Sequence, residues 1–353
     1  MSIIPVMFQA IDLFNATEKE YAGLGAFKNI LNREYRPDDP PIPLEEQIQG
    51  WKNIPNFIEM EAYIAWDPSG SEVIAYCDCM IFHTGDNEHS ADLRVEVLPS
   101  YRNQGIGRQA LHRLLPFIKK HNRTLLISFA SDLIRETAIW FEHLHGRRGL
   151  CMHVNQLKMS EFDKTLVETW MAERENNRSE FDVCFLSGPY PNDMIDQIAA
   201  LFQKVGNDSP RDELQLEDFT FTPEILRQEE KNLFSQGNLR WTMYLIDRSN
   251  GNLAGLTEVF WNPNRPMILN QAFTGIYPAY RNKGLGRWLK AEMMTKILLE
   301  RPEVEFIRTN NANSNGPMLK INTEMGFKPY ISNTIWQVET AKVETYLEGS
   351  HSP

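Results

Sequence analysis

Two short stretches of this chain carry the residue types that bind a phosphate. "PAYRNKGLGR" occupies residues 278–287 and "PSYRNQGIGR" residues 99–108, and at a constant offset they keep Pro, Tyr, Arg, Asn, both Gly and the final Arg in place. Each follows a strand-like run and opens a helix-like one. A turn of that kind leaves the first backbone N–H groups of the helix unpaired at its positive dipole end, which makes an anion site. Gly284 and Gly286 let the backbone approach a phosphate closely, and Arg281 and Arg287 can add charge. Arg102 and Arg108 hold the same places in the first copy. Glycines are also welcome in a plain strand-to-helix turn, so one copy alone would leave both readings open. The recurrence with both arginines kept favours phosphate.

The kind of phosphate is narrowed by context. "GIGRQA" fits the looser form of a dinucleotide fingerprint, but that motif follows its strand directly and needs an acidic residue about 20 positions on. Here Pro-x-Tyr-Arg intervenes, and the next strand-like runs, "TLLISFA" and "EFIRT", end without such an acid. A P-loop would need Gly-Lys followed by Ser or Thr, and neither copy has it.

The elements that would position these turns also recur. In the first half "EVIAYCDCMIF" and "ADLRVEVL" read as strands and "RQALHRLLPFIKK" as a helix kinked or shortened by Pro116. "TLLISFA" is a strand, "ETAIWFEHLH" a helix and "LCMHVNQLKM" a closing strand. The second half runs in the same order through "RWTMYLIDR", "LAGLTEVFW", "PMILNQAFTGIY", "GRWLKAEMMTKILLE", "EFIRT", "PMLKINTEM" and "TIWQV". The helix of that half carries Leu285, Trp288, Leu289, Met293 and Ile297 on one stripe. A repeat at half the chain length points to duplication. The reading is α/β in class, with a first domain over residues 1–160, a charged connecting helix and linker over 161–180, and a second domain over 181–353. The Pro-rich "NREYRPDDPPIPLEE" reads as a loop between helices of the first unit.

Bulk properties agree with two soluble globular domains. The chain has 353 residues, 42% hydrophobic and 24% charged, and a formal net charge of −11. That charge argues against a nucleic-acid partner, which would need a basic surface. The N-terminus lacks the basic and apolar regions of a signal peptide, and no apolar run is long enough to span a bilayer. Of the four cysteines, Cys77 and Cys79 stand two apart in a strand-like run, on one face. Further zinc ligands at matching spacing are missing, so buried reduced thiols and a cytoplasmic home are expected, with no metal.

At this point the residues resemble a known family. "VLPSYRNQGIGR" and "IYPAYRNKGLGR" look like the Arg-x-x-Gly-x-Gly pyrophosphate loop of the GCN5-related N-acetyltransferases, the GNAT superfamily. "NGPMLKINTEMGF" resembles the family's second conserved region, where an Asn at the end of a splayed strand precedes a helix and Gly-Phe. The resemblance covers most of both halves and implies two tandem GNAT domains, each a splayed mixed β-sheet flanked by helices. It implies acetyl-CoA as co-substrate. Ile276 and Tyr277 would end the strand whose backbone pairs with the pantetheine arm. Arg281, Asn282, Lys283, Gly284, Leu285, Gly286 and Arg287 would wrap the pyrophosphate, and Asn315 would hydrogen-bond the pantetheine. In the first half Val97, Leu98, Arg102, Asn103, Gln104, Gly105, Ile106, Gly107 and Arg108 hold the corresponding places.

Both halves depart from the family pattern. Counting back from Gly146 as from Gly326, Arg135 stands where Asn315 does, and "HGRRG" replaces the Gly-Phe region. The first domain is therefore expected to be the degenerate one and the second the catalytic one. In the second half, Asn322 stands where relatives often place a Tyr that protonates the leaving thiolate, and an amide cannot do so. Tyr330, Tyr277 or solvent remain as substitutes. Glu258 is the base expected to take the proton of an ammonium substrate, its bland alternative being an exposed strand carboxylate. Asn270 and Gln271 hold adjacent strand positions and could orient substrate or a water; Thr274 would line the acetyl pocket. The expected activity is acetyl transfer from acetyl-CoA to a primary amine of a small molecule or peptide. A non-catalytic acyl-CoA sensor or scaffold is the rival, and a nicotinamide-dependent oxidoreductase a weaker third.

Overall fold

The computed structural model describes residues 5–173 and 178–349. Residues 174–177, within the expected linker, lie outside the described residues. The described chain divides into two compact units. Unit 1 comprises residues 5–151, 211–218 and 333–349, and unit 2 comprises residues 152–173, 178–210 and 219–332.

Unit 1 opens with the short strand β1 (Phe8–Ala10) and the helix α1 (Glu18–Tyr35), whose start is set by a capping box between Thr17 and Glu20. After α2 (Leu44–Lys52) come the strands β2 (Ile58–Trp66), β3 (Val73–Phe82) and β4 (Ser90–Val97). The helix α3 (Ile106–Lys120), the strand β5 (Leu125–Ser131) and the helix α4 (Arg135–His143) follow. Pro116 does not shorten α3, which runs on to Lys120. Cys77 and Cys79 on β3 are free and fully buried, and burial pushes both thiols well above their ordinary range.

The strand β6 (Arg147–Lys158) starts in unit 1 and ends in unit 2. Unit 2 continues with α5 (Lys164–Ala172), β7 (Phe181–Ser187), α6 (Ile195–Leu201) and α7 (Pro223–Ser235). Then come β8 (Leu239–Asp247), β9 (Leu253–Trp261), β10 (Ile268–Ile276), the helix α8 (Leu285–Glu300), β11 (Phe306–Ala312) and α9 (Gly316–Glu324). The strand β12 (Lys328–Glu339) leaves unit 2, and its residues 333–339, with α10 (Thr340–Glu348), belong to unit 1.

Strand order in unit 1 is β1-β2-β3-β4-β5-β12, and in unit 2 it is β6-β11-β10-β9-β8-β7. Each sheet is therefore completed by the other half of the chain. β12 pairs antiparallel with β5, as Trp336 opposite Ser128, and β6 pairs antiparallel with β11, as Leu157 opposite Ile307. This differs from the expected boundaries at 160 and 180, because local patterning marks a strand without naming its neighbour. The expected linker also contains α5, whose Val167 and Trp170 are buried in the unit 2 core with Leu285, Trp288 and Leu289 of α8.

Each sheet has helices on both faces, and the apolar stripe of α8 expected from its spacing is buried. In unit 2 one face packs on α5 and α8, while Leu256 of β9 joins Ile195 and Ile198 of α6 and Leu226 of α7 on the other.

Candidate functional site

In unit 2, β10 and β11 run parallel and pair only from Ile268 opposite Phe306 to Asn270 opposite Arg308. Beyond that point the two strands splay, leaving a notch between residues 271–276 and 309–312. The antiparallel partner β9 follows β10 throughout, but with a register shift between Gln271 and Thr274. That shift is a β-bulge, which takes one backbone segment out of the ladder. Gln271 secures it: its Nε2 donates to Glu258 C=O at 2.7 Å and to Thr257 Oγ1 at 3.1 Å. The Thr257 and Thr274 hydroxyls meet at 2.7 Å. Tyr277 N–H bonds Ala254 C=O at 3.0 Å, so by alternation Thr274 and Ile276 turn their amides away from β9 and toward the notch.

The strand then enters the glycine turn. Pro278 begins a single 3₁₀ turn, Asn282 has φ 65°, and Gly284 caps α8 with φ 70°. Such a left-handed residue at a helix start is where glycine is needed. Arg287 and Trp288 N–H groups close on Gly284 C=O, and the amides of Leu285 and Gly286 precede the first intrahelical bond. A Cβ built on Gly286 would meet Ile321 at 3.9 Å and Ile276 at 4.0 Å, ordinary contact without crowding. The side chain of Leu285 is buried and anchors the helix.

The arginines have a different task from the one their charge suggested. Arg281 donates through Nε to Ile276 C=O at 3.1 Å and pairs with Asp208 at 2.7 Å. Arg287 makes a two-pronged pair with Glu324 of α9 at 2.8 Å, and Lys283 meets Glu180 at 3.0 Å. These cations brace the turn, and the anion-binding groups left in it are backbone amides. Asn315 caps α9, accepting from Met318 N–H at 3.3 Å. An open cleft of about 690 Å³ beside the turn is lined by Gln197 and Asp196 of α6, Lys204, Asn252, Tyr277 and Tyr280. Tyr277 directs its hydroxyl to Gln197 C=O, on the α6 side. Tyr330 lies against the Arg308 guanidinium, 4.8 Å from its ring centre.

Glu258 on β9 points to the α6–α7 face and is 2% exposed, which disposes of the exposed-carboxylate alternative. Its Oε1 accepts from Tyr190 Oη at 2.5 Å and from Thr242 Oγ1 at 2.9 Å. Arg240 stands 3.6 Å away but is shared: it pairs with Glu230, which also holds Arg227, and stacks 3.5 Å over the Tyr190 ring. Desolvation outweighs this partial compensation and raises the Glu258 pKa, while burial beside Glu258 keeps the Tyr190 phenol protonated. Glu258 does not line the 690 Å³ cleft. Asn270 is exposed at the last paired position.

Unit 1 repeats much of this. β4 and β5 pair only from Ser90 opposite Leu125 to Asp92 opposite Ile127, and then splay. Val97 and Leu98 match Ile276 and Tyr277: Leu98 N–H bonds Ile74 C=O at 3.0 Å and Arg102 Nε bonds Val97 C=O at 3.1 Å. Asn103 and Gly105 are left-handed, with φ 59° and 77°, Ile106 is buried, and Gln104 folds back onto Ser100 C=O. Three features differ. β4 pairs with β3 in unbroken register, without a bulge. The Trp140 indole lies 3.4 Å from where a Cβ on Gly107 would be. Arg102 is held bidentate by Glu34, and Arg108 donates to Leu347 C=O and stacks on Tyr346 of α10. By helix position the counterpart of Asn315 is Ile134, which caps α4 without a side-chain bond, and Arg135 is the exposed first residue of that helix.

Two residues escaped the sequence reading. Asp78 pairs into the sheet three residues past Ala75, as Glu258 does past Gly255, and Ala75 and Gly255 face Val97 and Ile276. Asp78 is 1% exposed, with Arg94 at 3.7 Å. At the offset of the glycine segments Asp78 falls on Thr257, so only the strand pairing shows that Glu258 is its counterpart. The other is Lys290, hidden in the apolar stripe of α8 and 2% exposed.

Comparison with known proteins places this geometry. Residues 24–136 match the model of the acetyltransferase (GNAT) family. No curated protein matches the sequence. A tandem GNAT protein from the clavulanic acid biosynthesis pathway superposes with a TM-score of 0.75 at 18% identity, covering 95% of this chain and 99% of that one. A GCN5-related N-acetyltransferase from Sphaerobacter thermophilus gives 0.63 at 12% identity, covering 96% and 97%. A GCN5-related glucosamine N-acetyltransferase region of a fungal multi-domain GH3 β-N-acetylglucosaminidase gives 0.63 at 13% identity, covering 95% of this chain and 38% of that one. The first unit therefore carries a domain of the GNAT family, whose members are acyltransferases, and the chain as a whole has the fold of a tandem GNAT protein. Among the described residues, no helix is long and apolar enough to cross a membrane.

Proposed function

We propose that unit 2 transfers the acetyl group of acetyl-CoA to a primary amine of a small molecule or peptide by direct attack. The observation that carries this reading is β10, which splays from β11, bulges at Gln271 and Thr274, and runs into the left-handed Gly284 at the start of α8. In unit 1 the counterpart of that strand splays without a bulge. The notch would take the pantetheine arm against the amides of Thr274 and Ile276, with Asn315 at its far side. The backbone of residues 281–287 would hold the pyrophosphate.

Attack by the neutral amine on the thioester gives a tetrahedral intermediate, and an amide freed from the ladder in β10 would receive its oxyanion. Glu258 would take the proton of the ammonium form, through the Tyr190 hydroxyl or a water, since burial keeps the carboxylate from direct contact with solvent. A carboxylate whose pKa is raised is a better base near neutral pH. Alignment in the notch supplies a large part of the rate enhancement. Unit 1 is assigned the lesser competence, on its unbulged β4 and on Trp140 against Gly107. The buried free thiols Cys77 and Cys79 support a cytoplasmic setting.

The rival is an acyl-CoA-binding sensor without turnover, favoured by Asn322 in place of a proton donor. A screen of primary amines for release of free CoA separates them. Amine-dependent release supports transfer, while tight acetyl-CoA binding with no release under any amine supports the sensor.

A further inference from the structure

Lys290 lies four residues after Gly286, on the same face of α8. Gly286 faces Ile321 of α9 and Ile276 at the end of β10, the nearest atoms to a Cβ built there. One turn along, Lys290 Nζ donates to Asn322 Oδ1 at 3.0 Å. Asn322, 1% exposed, donates in turn through Nδ2 to Asn311 Oδ1 at 2.8 Å. Asn311 stands on β11 beyond Arg308, the last residue paired with β10, so it flanks the notch. The three side chains form a polar line from the interior of unit 2 to the place where a bound thioester would lie.

A lysine is seldom buried without a carboxylate beside it, because desolvation of the ammonium goes uncompensated. The charges on the elements around Lys290 are engaged elsewhere. Arg287 of α8 and Glu324 of α9 pair with each other, Glu292 takes the Trp288 indole and Lys296 pairs with Glu300. Arg308 of β11 holds Gln156, Lys328 of β12 pairs with Glu161, and Glu258 of β9 belongs to the opposite face. Lys164 and Glu168 of α5, Glu173 just after it and Lys320 of α9 are exposed. Burial accordingly pulls the Lys290 pKa down to about 7. An ammonium of that acidity can protonate a thiolate whose conjugate thiol has a pKa of about 8.5.

We propose that Lys290 is the acid that protonates the departing thiolate of the bound acyl-CoA, with Asn322 and Asn311 holding its ammonium toward the notch. This deepens the transferase reading and rests on it. The amine nitrogen forms the new bond to the carbonyl carbon, the carbon–sulfur bond breaks, and sulfur takes a proton from Lys290 through a water beside Asn322, since the amides themselves do not pass one on. Glu258 has by then taken the ammonium proton, so the second proton, lost by nitrogen after attack, passes to solvent, and exchange with solvent resets Glu258 and Lys290. The sequence reading left the position of Asn322 without a donor; the structure places Lys290 next to it.

The test measures kcat and acetyl-CoA affinity from pH 6 to 9 for the whole chain, for Lys290→Met and for Asn322→Asp. The wild type should lose kcat as the pH rises through the alkaline limb, because the acid is then spent. Lys290→Met should lower kcat about 10²-fold or more and flatten that limb, with calorimetric affinity for acetyl-CoA close to wild type. Asn322→Asp sets a carboxylate against Lys290 and should move the limb to higher pH. Wild-type kcat and an unchanged profile in folded Lys290→Met would overturn the proposal. If that variant does not fold, an unmoved limb in Asn322→Asp overturns it. Absence of amine-dependent CoA release by the wild type would instead sink the transferase reading itself.

Discussion

Glu258 and Lys290 sit on opposite faces of one sheet, and burial drives their pKa values in opposite directions, up for the Glu258 carboxyl and down for the Lys290 ammonium. Glu258→Gln keeps the shape and removes the titration. It should lower kcat by roughly 10²–10⁴-fold with little change in the Michaelis constant for acetyl-CoA. The acidic limb of the pH–rate profile should flatten, because activity in the wild type falls as the pH drops through the raised Glu258 pKa. An unchanged profile would place the base elsewhere. Lys290 also leaves a mark on stability. Its folded pKa of about 7 lies below the ordinary 10.5, so between those values the unfolded chain binds more protons and wild-type stability should rise with pH. Lys290→Met should lose that slope and be the more stable protein at pH 6. Denaturant titrations at pH 6 and 9 check both points, and equal slopes would mean that Lys290 is not held at a depressed pKa.

At the scale of the element, the turn from β10 into α8 depends on one left-handed residue. Gly284→Val forces a β-branched side chain into φ 70° and puts bulk where the backbone must meet a phosphate. Affinity for acetyl-CoA should fall by well over tenfold; calorimetry showing an unchanged constant would remove the basis of the assignment. This turn was legible in the sequence because Gly284, Gly286 and their arginines recur at a fixed offset, and helix α8 because its apolar stripe has one period. The bulge was not legible. Gln271 and Thr274 look like ordinary strand residues until Gln271 is seen bonded to the backbone of Glu258. Nor was the role of Arg281 and Arg287, since sequence shows a cation but not the carboxylates, Asp208 and Glu324, that occupy it. Lys290 was invisible for a similar reason: in an apolar stripe a lysine reads as a side chain that reaches water.

For the whole molecule, the duplication was readable and the strand exchange was not. "TIWQV" reads as a closing strand, but only the paired structure shows Trp336 opposite Ser128 of the first half. A chain ending at residue 332 should therefore lose hydrogen-exchange protection in β5 and α3 of unit 1. Protection lost first in β10 and β11 would contradict the exchange. The two units also divide the evidence unevenly. The family match falls on unit 1, whereas the bulged strand, the uncrowded Gly286 and the Glu258–Tyr190 contact belong to unit 2. The most direct measurement is amine-dependent release of CoA from acetyl-CoA, screened over primary amines with the whole chain, with Gly284→Val and with the double variant Gly105→Val, Gly107→Val. Release should occur in the wild type, fail in Gly284→Val and persist for the most part in the double variant. Release that survives Gly284→Val but vanishes in a folded double variant would move the reaction to unit 1 and contradict this account.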